Sequence, residues 1–281
     1  MYRVTKVLNH NTVLAFDTED HQEKLVLGKG VGFGRKVGER TTFSSEVTVY
    51  LLVQQGRGDP KDLVKRIDPV YLDVANGIVQ AARSKFGEID TSILLPLADH
   101  IAYAAERIRK NEPISNPLTA DIQALFPEEY AVARVGHDLI REATGLDFSE
   151  DELGYIALHI HSSLDAMRVS QAMQMAALVR ECVELVQRET GMTIDTASLS
   201  YNRLMTHIKY MAARILKGEK LSMDVNRFMR ESYPRAFAIA AEICRHLGDS
   251  LKQTVDEGEI GYLAMHIERV FELQGHAPQA E

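Results

Sequence analysis

The sequence predicts a multidomain α and β protein: a small antiparallel β domain followed by two homologous all-α domains, each a helical bundle of five helices. Three observations lead there. Up to residue 53 the apolar residues alternate or form short β-branched runs. After Gly56-Arg57-Gly58-Asp59-Pro60 they recur every three or four residues. Two stretches also occur twice: His100-Ile101-Ala102-Tyr103-Ala104-Ala105-Glu106-Arg107-Ile108 returns from His207 to Ile215, and Glu152-Leu153-Gly154-Tyr155-Ile156-Ala157-Leu158-His159-Ile160 returns from Glu259 to Ile267. His100 to His207 and His159 to His266 are both steps of 107 residues, and the pairs Pro127/Pro234 and Tyr130/Phe237 keep the same step. A constant step across so many positions marks a duplicated domain.

With 281 residues and 45% hydrophobic content the chain can bury a substantial core. No apolar run is long enough for a membrane span and no apolar signal core follows Met1, so a cytoplasmic protein is expected. Cys182 and Cys244 stand on separate helical stretches without C-x-x-C spacing, which argues for buried free thiols. A formal net charge of −8 excludes nucleic-acid binding over the whole surface. In residues 1–56, however, basic side chains slightly outnumber acidic ones, so a small nucleic-acid module fits there.

Strands are expected over Val4–Leu8, Thr12–Phe16, Glu23–Leu27, Thr41–Phe43 and Val47–Val53. Leu8-Asn9-His10-Asn11 is a polar turn whose amides could meet base edges or close an Asx turn. Gly28-Lys29-Gly30-Val31-Gly32-Phe33-Gly34-Arg35-Lys36 alternates four glycines around one aromatic and three cations. It is no phosphate loop, because the G-x-x-x-x-G-K-[ST] order is missing and no helix signal follows. Two readings fit: a surface for single-stranded or irregular RNA, with an aromatic to stack and cations for phosphates, or a bulged glycine hairpin.

The helical part is expected to begin with one helix from Leu63 to Gly87. Helices over Ile93–Ile108, Leu118–Leu125, Glu128–Thr144 and Glu150–Asp165 complete the first copy. The second copy repeats them over Ala172–Glu189, Thr196–Lys217, Met223–Ser232, Pro234–Leu247 and Asp256–Gln274, with a frayed tail from His276. The expected domains are therefore 1–56, a linker 57–62, 63–169 and 170–281.

Each copy keeps two histidines 59 residues apart in apolar helical sequence. A single such histidine would be read as a core residue satisfied by a neighbour. Four at matched positions point to a shared reaction at a titratable nitrogen. Arg107 and Arg214, seven residues after His100 and His207, fall on about the same helix face and fit either partners of the histidine sites or solvated surface charges. A metal site around His159 and His161, with Glu152, Asp99 and Asp165 near in sequence, is a poor reading. Residues two apart point to different helix faces, and Glu268 replaces His161 in the second copy. No metal, no cofactor and no enzymatic activity are expected.

Together these residues resemble the transcriptional antiterminators of the BglG/SacY type, with a co-antiterminator RNA-binding domain followed by two phosphotransferase-system regulatory domains, or PRDs. The resemblance covers the whole chain in the family's order and rests on both E-[LI]-G-Y-x-A-x-H-I and both H-I-x-Y-x-A-x-R-I stretches, on Lys6-Val7-Leu8-Asn9-His10-Asn11 and on Gly28-Lys29-Gly30-x-x-Phe33. It implies RNA contacts at Lys6, Asn9, Asn11, Gly28, Lys29, Gly30 and Phe33, and phosphorylation at His100, His159, His207 and His266. The implied donors are a sugar-specific permease's phosphoryl domain for the first histidine pair and the histidine-containing phosphocarrier protein for the second. The active form implied is a homodimer that clasps a leader RNA hairpin overlapping a terminator, without DNA binding or membrane insertion. His10 departs from the family, where a second Asn is common, and Gly32 with Gly34 leans toward the glucose-responsive branch. The alternative is a PRD-containing regulator or phosphorelay protein that acts through protein contacts without RNA.

Overall fold

The computed structural model describes residues 1–44, 47–52, 59–164, 168–191, 194, 198–221 and 224–275. The chain divides into two compact units, one of residues 1–119 with 126–169, the other of 120–125 with 170–281.

The first unit opens with an antiparallel sheet of β1 (Tyr2–Asn9), β2 (Thr12–Asp17), β3 (Glu23–Leu27), β4 (Arg40–Thr41) and β5 (Thr48–Leu51) in the order β4-β1-β2-β3-β5. β2 is the central strand and is buried on both faces. Because side chains alternate along a strand, Val13 and Ala15 join Val26 and Val31 in one small core, whereas Leu14 pairs in register with Leu25 on the opposite face. Phe43, expected at the end of a strand, instead leaves the sheet and packs on Tyr2 with ring centroids 5.2 Å apart.

The helices of this unit are α1 (Pro60–Arg66), α2 (Pro69–Phe86), α3 (Leu94–Arg109) after a 3-10 turn over Thr91–Ile93, α5 (Pro127–Thr144) and α6 (Glu150–Leu164). Where one helix was expected from Leu63, the structure breaks the chain after Ile67. Pro69 has no N–H to continue a helix, and the Asp68 side chain accepts a hydrogen bond from the Val70 N–H to start a new one. Residues 60–62, expected in the linker, form the first turn of α1, while 53–58 lie outside the described residues. Leu72, Ile78, Leu97, Ile101, Ile140 and Ile156 are fully buried and form the core of this bundle.

The second unit contains α7 (Val169–Thr190), α8 (Leu199–Lys217), α9 (Asn226–Ser232), α10 (Pro234–Leu251) and α11 (Gly258–Gly275) around Leu204, Ile208, Ile243, Leu247, Leu263 and Ile267. α4 (Thr119–Leu125), the fourth helix of the first copy, falls largely in this unit: Asp121 lies 3.7 Å from Arg180, and the Leu125 carbonyl accepts a hydrogen bond from Lys209. The expected starts at Thr196 and Met223 and the tail from His276 lie outside the described residues. Cys182 and Cys244 are buried and free, and burial pushes both thiols up to about 12. Among the described residues no helix is long and apolar enough to cross a membrane.

Candidate nucleic-acid interface and histidine sites

The β1–β2 turn and the glycine loop form one surface. Asn9 Oδ1 accepts from the Asn11 N–H at 2.8 Å, closing the Asx turn, and Asn11 Oδ1 accepts from the Gly30 N–H at 3.0 Å. The Gly28 N–H donates to the Asn11 carbonyl and the Gly32 N–H to the His10 carbonyl. The amide oxygens of both asparagines thus build the surface. Gly32 is required by this closeness, because a Cβ there would stand 2.2 Å from the Asn9 carbonyl oxygen. Gly30 and Gly34 have φ of 71° and 69°, conformations in which other L-residues are strained. These turns anchor Val31 in the core and hold Phe33 out, 71% exposed, with the His10 ring edge-on at 5.4 Å. Lys6, Lys29 and Lys36 are exposed as well.

Three polar residues of α2 tie this domain to the helices of the same unit, and no sequence reading above assigned them. Asp73 accepts from Asn9 Nδ2 and from the Thr12 hydroxyl, each at 2.9 Å. Asn76 accepts from the Tyr50 hydroxyl at 2.7 Å, and Gln80 donates to Thr48 at 3.0 Å. The spacing 73, 76, 80 puts three polar side chains on one face of the helix, which was the available signal. Thr12 is fully buried. Asp73→Ala therefore strands its hydroxyl and is expected to cost about 1–2 kcal/mol in urea unfolding of the full chain; an unchanged midpoint would show the link to be energetically idle.

The histidines meet in pairs. α3 and α6 bring His100 and His159 to a ring separation of 5.4 Å, and α8 and α11 bring His207 and His266 to 4.3 Å, nearly parallel at 22°. Desolvation pushes His159 and His207 down to about 3, and His266 is lowered by burial and by Arg269 and Arg203. At neutral pH these rings keep their lone pairs.

Arg107 and Arg214 are neither free phosphate partners nor solvated charges. Arg107 donates to the buried Glu152 at 2.7 Å, and Arg214 donates to both oxygens of the buried Glu259 at 2.7 and 2.8 Å. His161 turns away from His159 to bond Glu129 at 2.8 Å and stack on Phe126, so the H-x-H pair is no chelate. Asp99 lies 3.4 Å from Arg66, and Asp165 is outside the described residues. Among the described residues no three His, Cys, Asp or Glu side chains are grouped to hold a metal ion.

The lowered values have a consequence for stability. Since His159 and His207 bind protons more weakly in the fold than at the ordinary 6.5, the unfolded chain takes up protons first. Stability is full above pH 6.5 and is lost as the pH falls toward 3, by about 1–1.5 kcal/mol per histidine between pH 7 and 5.5. Urea unfolding at the two pH values should show this loss, and His159→Asn with His207→Asn should flatten it; an equal loss in the double variant would place the titration elsewhere.

A sheet with an exposed aromatic on a glycine loop, joined to duplicated helical bundles that each bring a histidine pair together, defines an RNA-binding regulator with two PRD modules. The CAT RNA binding domain family matches residues 2–56, and the PRD domain family matches 76–163 and 180–270. Protein GlcT of Staphylococcus epidermidis is 30% identical over 97% of this chain and 98% of its own length. The GlcA/glcB genes antiterminator of Staphylococcus carnosus is 30% identical over 95% of this chain and 94% of its own. A crystal structure of GlcT CAT-PRDI aligns with a TM-score of 0.51 at 31% identity, covering 58% of this chain and 98% of that one. The chain belongs to the BglG/SacY-type transcriptional antiterminators, on the glucose-related branch.

Proposed function

We infer that this protein binds a leader RNA hairpin of a sugar phosphotransferase operon and thereby prevents terminator formation, so that transcription continues. The observation that carries the reading is Phe33, held out at 71% exposure by a loop whose backbone is fixed to the β1–β2 turn. A side chain of that size left in water on a rigid loop suits stacking on an unpaired base. Asn11 offers its amide donor, Gly28 and Gly30 allow close approach, and Lys6 and Lys29 meet phosphates. Asn9 shapes the turn and keeps its Nδ2 on Asp73.

Phosphorylation at His100, His159, His207 and His266 regulates this binding. A phosphoryl group adds roughly two negative charges to a ring, which a closely packed pair of rings cannot hold unchanged. The regulated element is a homodimer in the cytoplasm. The phosphoryl donors are the histidine-containing phosphocarrier protein for the second pair and the permease's phosphoryl domain for the first.

The test is fluorescence anisotropy of the full chain against terminator-overlapping hairpins from sugar-permease leaders, at fixed salt because phosphate contacts make affinity salt-dependent. Hairpin-specific binding that changes after treatment with the charged phosphocarrier protein is expected. Absence of binding to every hairpin would leave a regulator working through protein contacts.

A further inference from the structure

The two histidine pairs derive from duplicated sequence, yet their surroundings differ in charge. His207 and His266 line a pocket of about 490 Å³ together with Asn202, Arg203, Thr206, Tyr210 and Arg214. The step of 107 residues puts Leu95, Pro96 and Asp99 of the first copy at the positions of Asn202, Arg203 and Thr206, and Ser162 at that of Arg269. The second copy therefore has two arginines at positions where the first has none, and the first has Asp99, 3.4 Å from Arg66, where the second has Thr206.

The glutamates accentuate the difference. Glu152 gives one oxygen to Arg107 and sets the other 3.3 Å from His100 Nε2, so a negative charge faces the first pair. Glu259 has both oxygens taken by Arg214. His207, only 6% exposed, holds its Nε2 buried with no hydrogen-bond partner, as His100 Nε2 and His159 Nδ1 are in the first copy, so it is the arginines and not the orphaned nitrogen that set the second pair apart. A buried ring nitrogen without a partner is costly, and an oxygen of a ligand in the pocket would complete it. Arg203 is exposed at the rim and makes no ion pair among the described residues.

We propose that the pocket over His207 and His266 is an oxyanion site that receives a phosphoryl group, and that Arg203 is the positioning residue that holds it there, a device the first copy does not have. This rests on the reading of these histidines as phosphoryl acceptors. In the transfer, the lone pair of the neutral acceptor ring forms a new N–P bond while the donor's N–P bond breaks, its electron pair leaving with the donor nitrogen. The acceptor becomes a phosphoimidazolium that keeps its own ring proton. The guanidinium of Arg203 offers paired donors to the phosphoryl oxygens, a geometry to which arginine is suited. Beside His100 the Glu152 carboxylate repels the same group.

The experiment treats the full chain with ³²P-phosphoramidate, a small histidine phosphodonor that needs no docking protein, and reads label separately in peptides carrying each histidine pair. The second pair should label faster than the first. Arg203→Ala should slow the second pair by about tenfold, the loss of one charge-assisted contact, with the first pair unchanged as an internal control of folding. Arg203→Lys should recover much of the rate, and Pro96→Arg should raise labelling of the first pair. Wild-type labelling of the second pair in Arg203→Ala, equal slowing of both pairs, or an effect seen only with a protein donor would overturn the proposal. Absence of label at every histidine of the wild-type chain would instead overturn the phosphoacceptor reading on which it rests.

Discussion

Phe33→Ala is expected to weaken hairpin binding by about 10- to 100-fold, the equivalent of one base–aromatic stack of about 1–3 kcal/mol. The ring is 71% exposed and sits between glycines in a turn whose hydrogen bonds are all backbone or asparagine bonds, so its removal leaves the loop intact. Stability should therefore be unchanged while affinity falls. Phe33→Tyr or Phe33→Trp, which keep a π face, should retain most of the binding. Anisotropy titrations of the three variants at one salt concentration, with urea melts alongside, separate the two quantities. Equal affinity of Phe33→Ala and wild type would remove Phe33 from the interface.

Glu259→Ala should destabilise the second unit by about 3 kcal/mol or more, because removing one member of a largely buried ion pair leaves the other charge uncompensated. Glu259 is 1% exposed, and both of its oxygens are bonded by Arg214, whose side chain is partly exposed at 21%. That partial access to water holds the expected cost to the lower part of the range. Glu259→Gln keeps one acceptor and should cost about half as much. Arg214→Leu with Glu259→Leu, which removes both charges together, should recover much of the loss. Chemical unfolding followed by a probe in the second unit measures this, and a cost below about 0.5 kcal/mol for Glu259→Ala would show that water, not Arg214, satisfies the carboxylate.

Much of this architecture was legible because it is local or repeated. The change from alternating to three-four periodicity marked where sheet gives way to helices, and the constant step found all four histidines. What was not legible lies partly across space and partly in local signals passed over. The one-helix reading of residues 63–87 followed apolar periodicity through Asp68-Pro69, although a cap residue before proline is a local start signal. Asn9 and Asn11 have the chemistry for base contacts and for turn closure alike, and only the positions of Gly30 and Asp73 decide how each amide is used. Arg107 and Arg214 were placed correctly on the histidine face, but their partners stand 45 residues later in each copy. That equal spacing was a signal in plain view, since Glu152 and Glu259 open the second repeated motif. His161 with Glu129 has no counterpart in the second copy, where Glu268 and Ala236 occupy those positions, so repetition gave no clue to it.

The most direct test of the account is read-through on a template carrying a sugar-permease leader and its terminator, transcribed with purified polymerase and the full chain. Wild-type chain is expected to raise the fraction of full-length transcript, Phe33→Ala to do so only at much higher concentration, and prior phosphorylation to shift the concentration needed. Termination that stays unchanged at concentrations where the chain occupies the hairpin would contradict it.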